Sequence, residues 1–442
     1  MTAISHLPVI PRSILDTDLN KFTMQQAVLH HYPDVQSKYR FSNRYTNVQF
    51  SYQCFEKFRG SVARFVDLSL KAPERQWLEY ACPWFSYEYL DYLSSFCFKS
   101  EQVSITFVPE TEDPLRGQIE IEIDGPWVEC ILWEVPLMAL LNEIYFLVDN
   151  VDWDNDGQEG IFTLLQSHQT KFPKCYLLFH LPDTAFLKGK ALFEAGCSLI
   201  DFGTRRRRSF KTQELVIRGL IRASDRLTNH RGGLKGTSNV YLAYKHNLTP
   251  VVTVAHEWFM GVGAIEGYEH VNHTALRLWE EVYPDTPSLL VALTDTFSSQ
   301  VFLNEMSLHP GRIGRWAGLQ QDSGNPLLFA PRVKEAYQKL GMDHHKRTLI
   351  YSDSLNTEKA LRIRRQCDEL GFEQVSFAIG TFLTNDFRTR SSELREISEA
   401  LIIVIKLRSV AGIPCVKLSD DPTKYSGDED TVIHVKRELG LE

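Results

Sequence analysis

The sequence predicts an α/β protein in which an N-terminal α+β half, residues 1–150, precedes a parallel sheet or barrel occupying residues 160–442. Two patterns carry that expectation. Beyond residue 175, short apolar runs each end in a polar, reactive residue and are separated by amphipathic stretches, the order of strand and helix that builds parallel sheets. Before residue 150, Ile119, Ile121 and Ile123 alternate with Glu120, Glu122 and Asp124 and close at Gly125-Pro126, which is a half-exposed strand.

In the first half, Pro73 to Phe98 carries apolar residues at helical spacing, among them Trp77, Tyr80, Ala81, Tyr89, Leu90 and Leu93, and Pro136 to Val148 reads as a buried helix. The polar stretch Asn150 to Glu159 is the expected linker; it lacks the acidic twelfth ligand of a calcium loop and reads as a solvated turn. In the second half the expected strands are Pro250 to Ala255, ending at His256-Glu257; Leu289 to Leu293, ending at Thr294-Asp295; Thr348 to Tyr351, ending at Ser352-Asp353; Val375 to Ile379, ending at Gly380-Thr381; and Leu401 to Ile405, ending at Lys406. One helix is explicit: Asn356 or Thr357 caps it, Leu361, Ile363, Cys367 and Leu370 line it, and Gly371 ends it.

The chain has 442 residues and a net charge of −8. That length favours two domains. Cys54, Cys82, Cys97, Cys130, Cys175, Cys197, Cys367 and Cys415 form no C-x-x-C pair, which argues against a zinc site or disulfide framework and for a reducing compartment. No uninterrupted apolar stretch reaches the roughly 18 residues of a membrane span, and Met1 to Arg12 lacks the order of a signal peptide. A cytoplasmic or nuclear location, with no membrane partner, is the expectation.

Against that acidic background Arg205 to Arg208 follow Asp201-Phe202-Gly203-Thr204 at the end of an apolar run. Guanidinium forks and backbone N–H groups there suit a phosphate. Nucleic acid is disfavoured, because basic residues do not recur along the chain. His256 follows a run expected to bury it at the mouth of the sheet, where a histidine can accept a phosphoryl group or act as general acid or base. Asp295, Asp322 and Asp353 end or follow runs, and carboxylates gathered on one face suit Mg²⁺ brought in by a polyphosphate. For each one alone, helix capping is nearly as good a reading. Gly236-Thr237-Ser238-Asn239 and Asp322-Ser323-Gly324 are turns that can cradle phosphate.

Ordered blocks then carry a resemblance. Ile14-Leu15-Asp16-Thr17-Asp18 with Lys21 and Thr23-Met24, Phe202-Gly203-Thr204 with the arginines, Gly236 to Asn239, Thr253 to Trp258, Leu293 to Phe297, Gln321 to Gly324, Tyr351 to Asn356, and Gly380-Thr381 with Thr384-Asn385-Asp386 together resemble nicotinate phosphoribosyltransferases of the fungal and enterobacterial type, in family order over nearly the whole chain. The resemblance implies a type II phosphoribosyltransferase fold, an irregular parallel α/β barrel with an N-terminal α+β domain, as a homodimer with sites at the subunit interface. It implies transfer of phosphoribosyl from 5-phosphoribosyl diphosphate to nicotinate in NAD salvage, with ATP as co-substrate and transient phosphorylation of His256. The catalytic set it implies is His256, Asp295 and Asp322, with Asp295, Asp322 and Asp353 toward Mg²⁺. Substrate contacts fall to Asp18, Asn20, Phe202, Thr204, Arg205, Ser238, Gln320, Ser323, Gly324, Asp353, Gly380 and Thr381, with Phe202 stacking on the pyridine and Arg205 near base and phosphates.

Four motifs depart from the family pattern. Asn20 stands where the family has a tyrosine that completes an aromatic sandwich, and Gln320 where it has an arginine. Ser298-Ser299-Gln300 replaces Gly-Thr-Asp, and Phe382 replaces an asparagine. These leave open a second reading, a divergent paralogue with an altered pyridine substrate or reaction in specialised metabolism. A third, a non-catalytic homologue, conflicts with the presence of His256, Asp295, Asp322 and Asp353.

Overall fold

A computed structural model describes residues 9–44, 47–153, 181–226, 231–391 and 396–441. The first half is an antiparallel sheet flanked by helices. Its central strands, Gln36–Asn43 and Arg116–Pro126, pair in register with Tyr39 opposite Ile123. Ile119, Ile121 and Ile123 are buried while the glutamates between them are not, as the alternation requires. The stretch 73–98 forms two helices, Ala72–Ala81 and Tyr87–Ser95, rather than one. Pro83 ends the first, since the residue before a proline is pushed out of the helical region, and Ser86 caps the second by accepting from the Tyr89 N–H.

Helix Glu134–Val148 appears where expected. With Trp127–Cys130 it forms an apolar segment long enough for a membrane span, yet 78% of that window is packed inside the protein, so it is a core element here. Asp152 of the expected linker accepts hydrogen bonds from the Arg390 and Ser391 N–H groups at 3.0 and 2.9 Å. The rest of that stretch, Asp154 to Glu159, and Cys175 lie outside the described residues.

The second half is a six-stranded, all-parallel sheet in the order Gly233–Thr237, Ser198–Asp201, Gln374–Ile379, Thr348–Tyr351, Gly318–Gln321, Val291–Leu293. Helices such as Phe210–Asp225, Pro326–Lys339 and Thr357–Leu370 pack outside it. Inside it, Ile200, Val291, Ile350 and Ala378 form a small apolar floor on which Phe202 rests. The parallel barrel-type architecture and the preceding α+β half agree with the expected fold class.

Two expected strands are corrected. Pro250 to Ala255 makes one parallel bridge, Thr237 with Pro250, and no ladder, so His256 opens a helix, His256–Glu266, after an extended segment rather than after a strand. Leu401 to Ile405 does not belong to the parallel sheet. Its last three residues open strand Ile403–Val410, which pairs antiparallel with Gln36–Asn43 in the first-half sheet. The reason was available: Ile403, Ile405 and Leu407 are buried and Val404, Lys406 and Arg408 are not, an alternation that suits a one-faced antiparallel strand and not a doubly covered parallel one. The C-terminal segment therefore completes the N-terminal sheet.

The helix after Asp353 follows its sequence signals. Asn356 accepts from the Lys359 N–H at 2.8 Å, and Gly371 ends the helix with φ +87°. Asn356→Ala should lower stability by about 1 kcal/mol, the usual worth of an N-cap. A urea midpoint unchanged in the variant would show that this cap contributes nothing.

Candidate active site

Strand C-termini place Asp201, Ser238, Asp295, Asp322, Asp353 and Gly380 along one rim of the parallel sheet, the end at which such folds carry their chemistry. The two innermost loops meet backbone to backbone. A Cβ on Gly380 would come within 2.6 Å of the Phe202 carbonyl oxygen, and one on Gly203 within 2.3 Å of Thr384 Cγ2, so both positions need glycine.

The four arginines divide by role. Arg207, 3% exposed, makes a bidentate pair with Asp16 at 2.7 and 2.7 Å, and Asn239 donates to the same carboxylate at 2.9 Å. Arg208, 1% exposed, lies 3.8 Å from the Phe146 ring centroid and donates to Asn385 and Ser398. These two are internal braces. Arg205 and Arg206 are both partly open; the Arg205 side chain, 37% exposed, has Nε 3.2 Å from Asp18 Oδ2 and Nη1 3.7 Å from Glu134 Oε1. Asp18 also accepts from Ser238 Oγ at 2.7 Å. Thr204 is fully buried and its hydroxyl accepts from Gln213 and Asn239, so its side chain supports the turn.

Beneath this turn, Asp201 is fully buried and takes hydrogen bonds from Gly203 N–H, Gln213 and Thr237. Burial pushes its carboxyl up to about 6, against those three donors. An acid whose folded pKa is raised binds its proton more tightly in the folded state, so its contribution to stability falls as pH rises from about 4 to 6. The urea midpoint of the parent should therefore fall relative to that of Asp201→Asn across that window. A constant difference would mean that Asp201 titrates normally.

His256, Asp295 and Asp322 converge, with one donor atom from each within 4.8 Å of the others. His256 Nδ1 lies 3.0 Å from Thr296 Oγ1, while Nε2 faces two groups, Asp322 Oδ2 at 3.0 Å and Lys417 Nζ at 2.8 Å. Nε2 can donate to the carboxylate or accept from the ammonium, one at a time. Each choice fixes the other nitrogen: with the proton on Nε2, Nδ1 accepts from Thr296, and with Nε2 bare, Nδ1–H donates to it. Burial and the Lys417 charge lower the His256 pKa, so the ring is held neutral with a lone pair available. Burial works against ionised Asp322, but the hydrogen bond from His256, the Lys417 charge and the hydrogen bond from Ser352 hold it well below the usual carboxylate range. Burial pushes Asp295 up, opposed by His256 and reinforced by Asp322. Ser323 donates to Asp295 Oδ2, and Asp295 Oδ1 is buried with no partner among the described residues.

Asp353 sits apart from this cluster. Its carboxylate accepts from Lys424 Nζ at 2.5 Å, and the same ammonium reaches the Asp322 carbonyl at 3.1 Å. Gln320, 5% exposed, donates to Ser352 Oγ at 2.9 Å, and Ser352 donates to Asp322 at 2.6 Å. The Gln320 Oε1 and Asn20 Oδ1 atoms are buried with no hydrogen-bond partner among the described residues. The other two departures face elsewhere: Gln300 bonds Asn304 on an exposed helix face, and the Phe382 ring lies 3.9 Å from Lys188 Nζ.

Sequence reasoning missed the cations of the C-terminal segment. Lys417 and Lys424 come from the loop after strand Ile403–Val410, and Lys406 from the strand itself. Burial, then the charges of Arg44 and Lys417, brings the Lys406 ammonium down to about 8. A lysine inside the apolar run Cys415-Val416-Lys417-Leu418 was the available signal, because a lysine is buried there only if something holds its charge. Lys21, Glu134 and Glu257, buried together, were equally invisible as a group.

Comparison with known proteins gives the family and the overall fold. The model of the nicotinate phosphoribosyltransferase (NAPRTase) family matches residues 197–442, and that of its N-terminal domain matches residues 15–142. A nicotinate phosphoribosyltransferase of Methanosarcina mazei is 39% identical over 95% of this chain and 96% of its own, and that of Saccharomyces cerevisiae 36% over 98% and 96%. A crystal structure of a nicotinate phosphoribosyltransferase from Vibrio cholerae superimposes with a TM-score of 0.83 at 29% identity, covering 98% of this chain and 95% of that one. One from Saccharomyces cerevisiae gives 0.89 at 34%, covering 99% of each.

Proposed function

This chain belongs to the nicotinate phosphoribosyltransferase family, and from that premise we propose how its residues divide the reaction. The enzyme joins nicotinate to 5-phosphoribosyl diphosphate in NAD salvage. The pyridine nitrogen attacks C1 of the ribose as the C1–diphosphate bond breaks, and diphosphate leaves with the electron pair. Positive charge grows on the sugar ring and negative charge on the leaving group, so fixed charges of both signs are needed close together.

The observation that supports this best is the facing pair of charge sets: Asp295 and Asp322 on the sheet rim, and Lys417 and Lys424 from the C-terminal segment. The cations and Arg205 receive the phosphates, and Phe202 on its apolar floor offers a face for the pyridine ring. Asp18 and Ser238 hold Arg205 in place. Mg²⁺ fits the donor set, because Asp295 Oδ1 is an unpartnered buried carboxylate oxygen beside Asp322. Asp295 and Asp322 would hold it, Asp353 being engaged by Lys424, and it would screen the diphosphate charge.

ATP is the co-substrate in this reading. His256, neutral and so with one unprotonated nitrogen, attacks the terminal phosphorus as the hydrogen bond to that nitrogen breaks, and ADP leaves. Lys417 and Asp322 set which nitrogen carries the proton. The active form is a cytoplasmic homodimer with the site at the interface. Purified protein incubated with nicotinate, 5-phosphoribosyl diphosphate, Mg²⁺ and ATP should yield equal amounts of mononucleotide and diphosphate by mass spectrometry. No mononucleotide with folded protein would overturn the assignment.

One observation favours a second reading. Two of the six buried side-chain amide oxygens that lack a partner among the described residues, Asn20 Oδ1 and Gln320 Oε1, lie at departures from the family pattern, and each would accept from a ligand more polar than nicotinate. Asn20→Tyr with Gln320→Arg should raise efficiency with nicotinate roughly tenfold, from added stacking and a charge-assisted contact. A fall in nicotinate turnover in the double variant would favour the altered substrate.

A further inference from the structure

Three charged side chains that the reaction above does not use are buried together. Lys21, 1% exposed, places Nζ 2.5 Å from Glu257 Oε2 and in contact with Glu134 Oε2. Burial lowers the affinity of Lys21 for its proton, and the Glu134 and Glu257 charges more than restore it, so the group is an ammonium between two carboxylates. Such ions are costly to bury and are often replaceable by apolar side chains without loss of stability.

Their connections run to both ends of the site. Glu257 is the neighbour of His256 in the first turn of helix His256–Glu266, and its other oxygen is pinned by the Tyr39 hydroxyl and by Trp127 Nε1 at 3.1 Å. Glu134 Oε1 lies 3.7 Å from Arg205 Nη1. From the same helix as Glu134, Asn142 donates to the Arg205 carbonyl at 3.2 Å. Lys21 itself stands in the first turn of helix Leu19–His31, whose cap, Asp18, contacts Arg205 Nε. The charges therefore alternate from Glu257 through Lys21 and Glu134 to Arg205 without a gap.

We propose that Lys21 is a positioning residue that couples the charge at position 256 to the pyridine- and phosphate-binding guanidinium of Arg205. The proposal rests on the reading of His256 and Arg205 given above. A negative charge appearing at His256 changes the share of Lys21 held by Glu257, and hence the share of Glu134 left for Arg205. Direct Coulomb effects between the two sites do not need Lys21; a relayed effect does.

The test is a binding cycle on the full chain, read by calorimetric titration with nicotinate. His256→Glu supplies a fixed negative charge and His256→Gln a neutral reference. The expected result is a Kd ratio between them of fivefold or more in the parent, and below twofold in a Lys21→Met, Glu134→Gln background. That background removes one charge of each sign and leaves Glu257 its two neutral donors, so it should fold, as circular dichroism checks. Lys21→Arg should restore the ratio. A ratio that is the same in both backgrounds, or that Lys21→Arg fails to restore, overturns the coupling even if all affinities fall. Failure of the parent itself to bind nicotinate would overturn the reading of the site, and this inference with it.

Discussion

Alanine at position 256 should lower kcat/KM with ATP present by about 10²-fold or more, remove the ATP-dependent stimulation altogether, and leave the fold intact. His256 is the first residue of its helix, its ring is 18% exposed, and neither of its nitrogens caps that helix. Its partners, Thr296, Asp322 and Lys417, are all polar, so its removal opens no apolar cavity of the kind that destabilises cores. The check is the ratio of ADP to mononucleotide formed, measured beside the melting temperature. An unchanged ratio in a folded variant would make His256 a structural residue only.

Asp322→Asn should be nearly as severe, with kcat down by about 10²- to 10³-fold, the usual worth of one preorganised charge in a site that excludes water. The amide has the same shape but carries no charge toward His256 Nε2, toward Lys417 or toward Mg²⁺. The pH profile gives a separate readout. The charge of Asp322 and its hydrogen bond both raise the His256 pKa, against the larger lowering by burial; without them it falls further. Loss of activity on protonation of His256 should therefore shift to lower pH in the variant. An acid limb that stays in place, or moves up, would show that Asp322 does not act on His256.

Much of this site was legible because its residues sit where local rules put them. Asp295, Asp322, Asp353 and Gly380-Thr381 end strands or follow them at once, and strand ends in a parallel sheet share one rim. Asn356 and Gly371 mark the ends of their helix by side-chain and backbone chemistry that needs no tertiary information. The arginine run stood out by charge alone, but its division did not. Whether a guanidinium meets Asp16, as Arg207 does, or the faces of Phe146, Trp153 and Phe387, as Arg208 does, depends on segments far away in the chain.

The sequence by itself determined the α/β class, the strand-end carboxylates, His256 and the family, since each is written in short runs whose period or order is local. Tertiary structure alone decided that Ile403–Val410 crosses back to the first-half sheet, with Lys417 and Lys424 beyond it reaching the site, and that Lys21, Glu134 and Glu257 meet in the interior. Those contacts join residues up to several hundred positions apart. Such a contact is fixed by which buried faces fit together and by which charge finds an opposite one away from water, and no local periodicity records either.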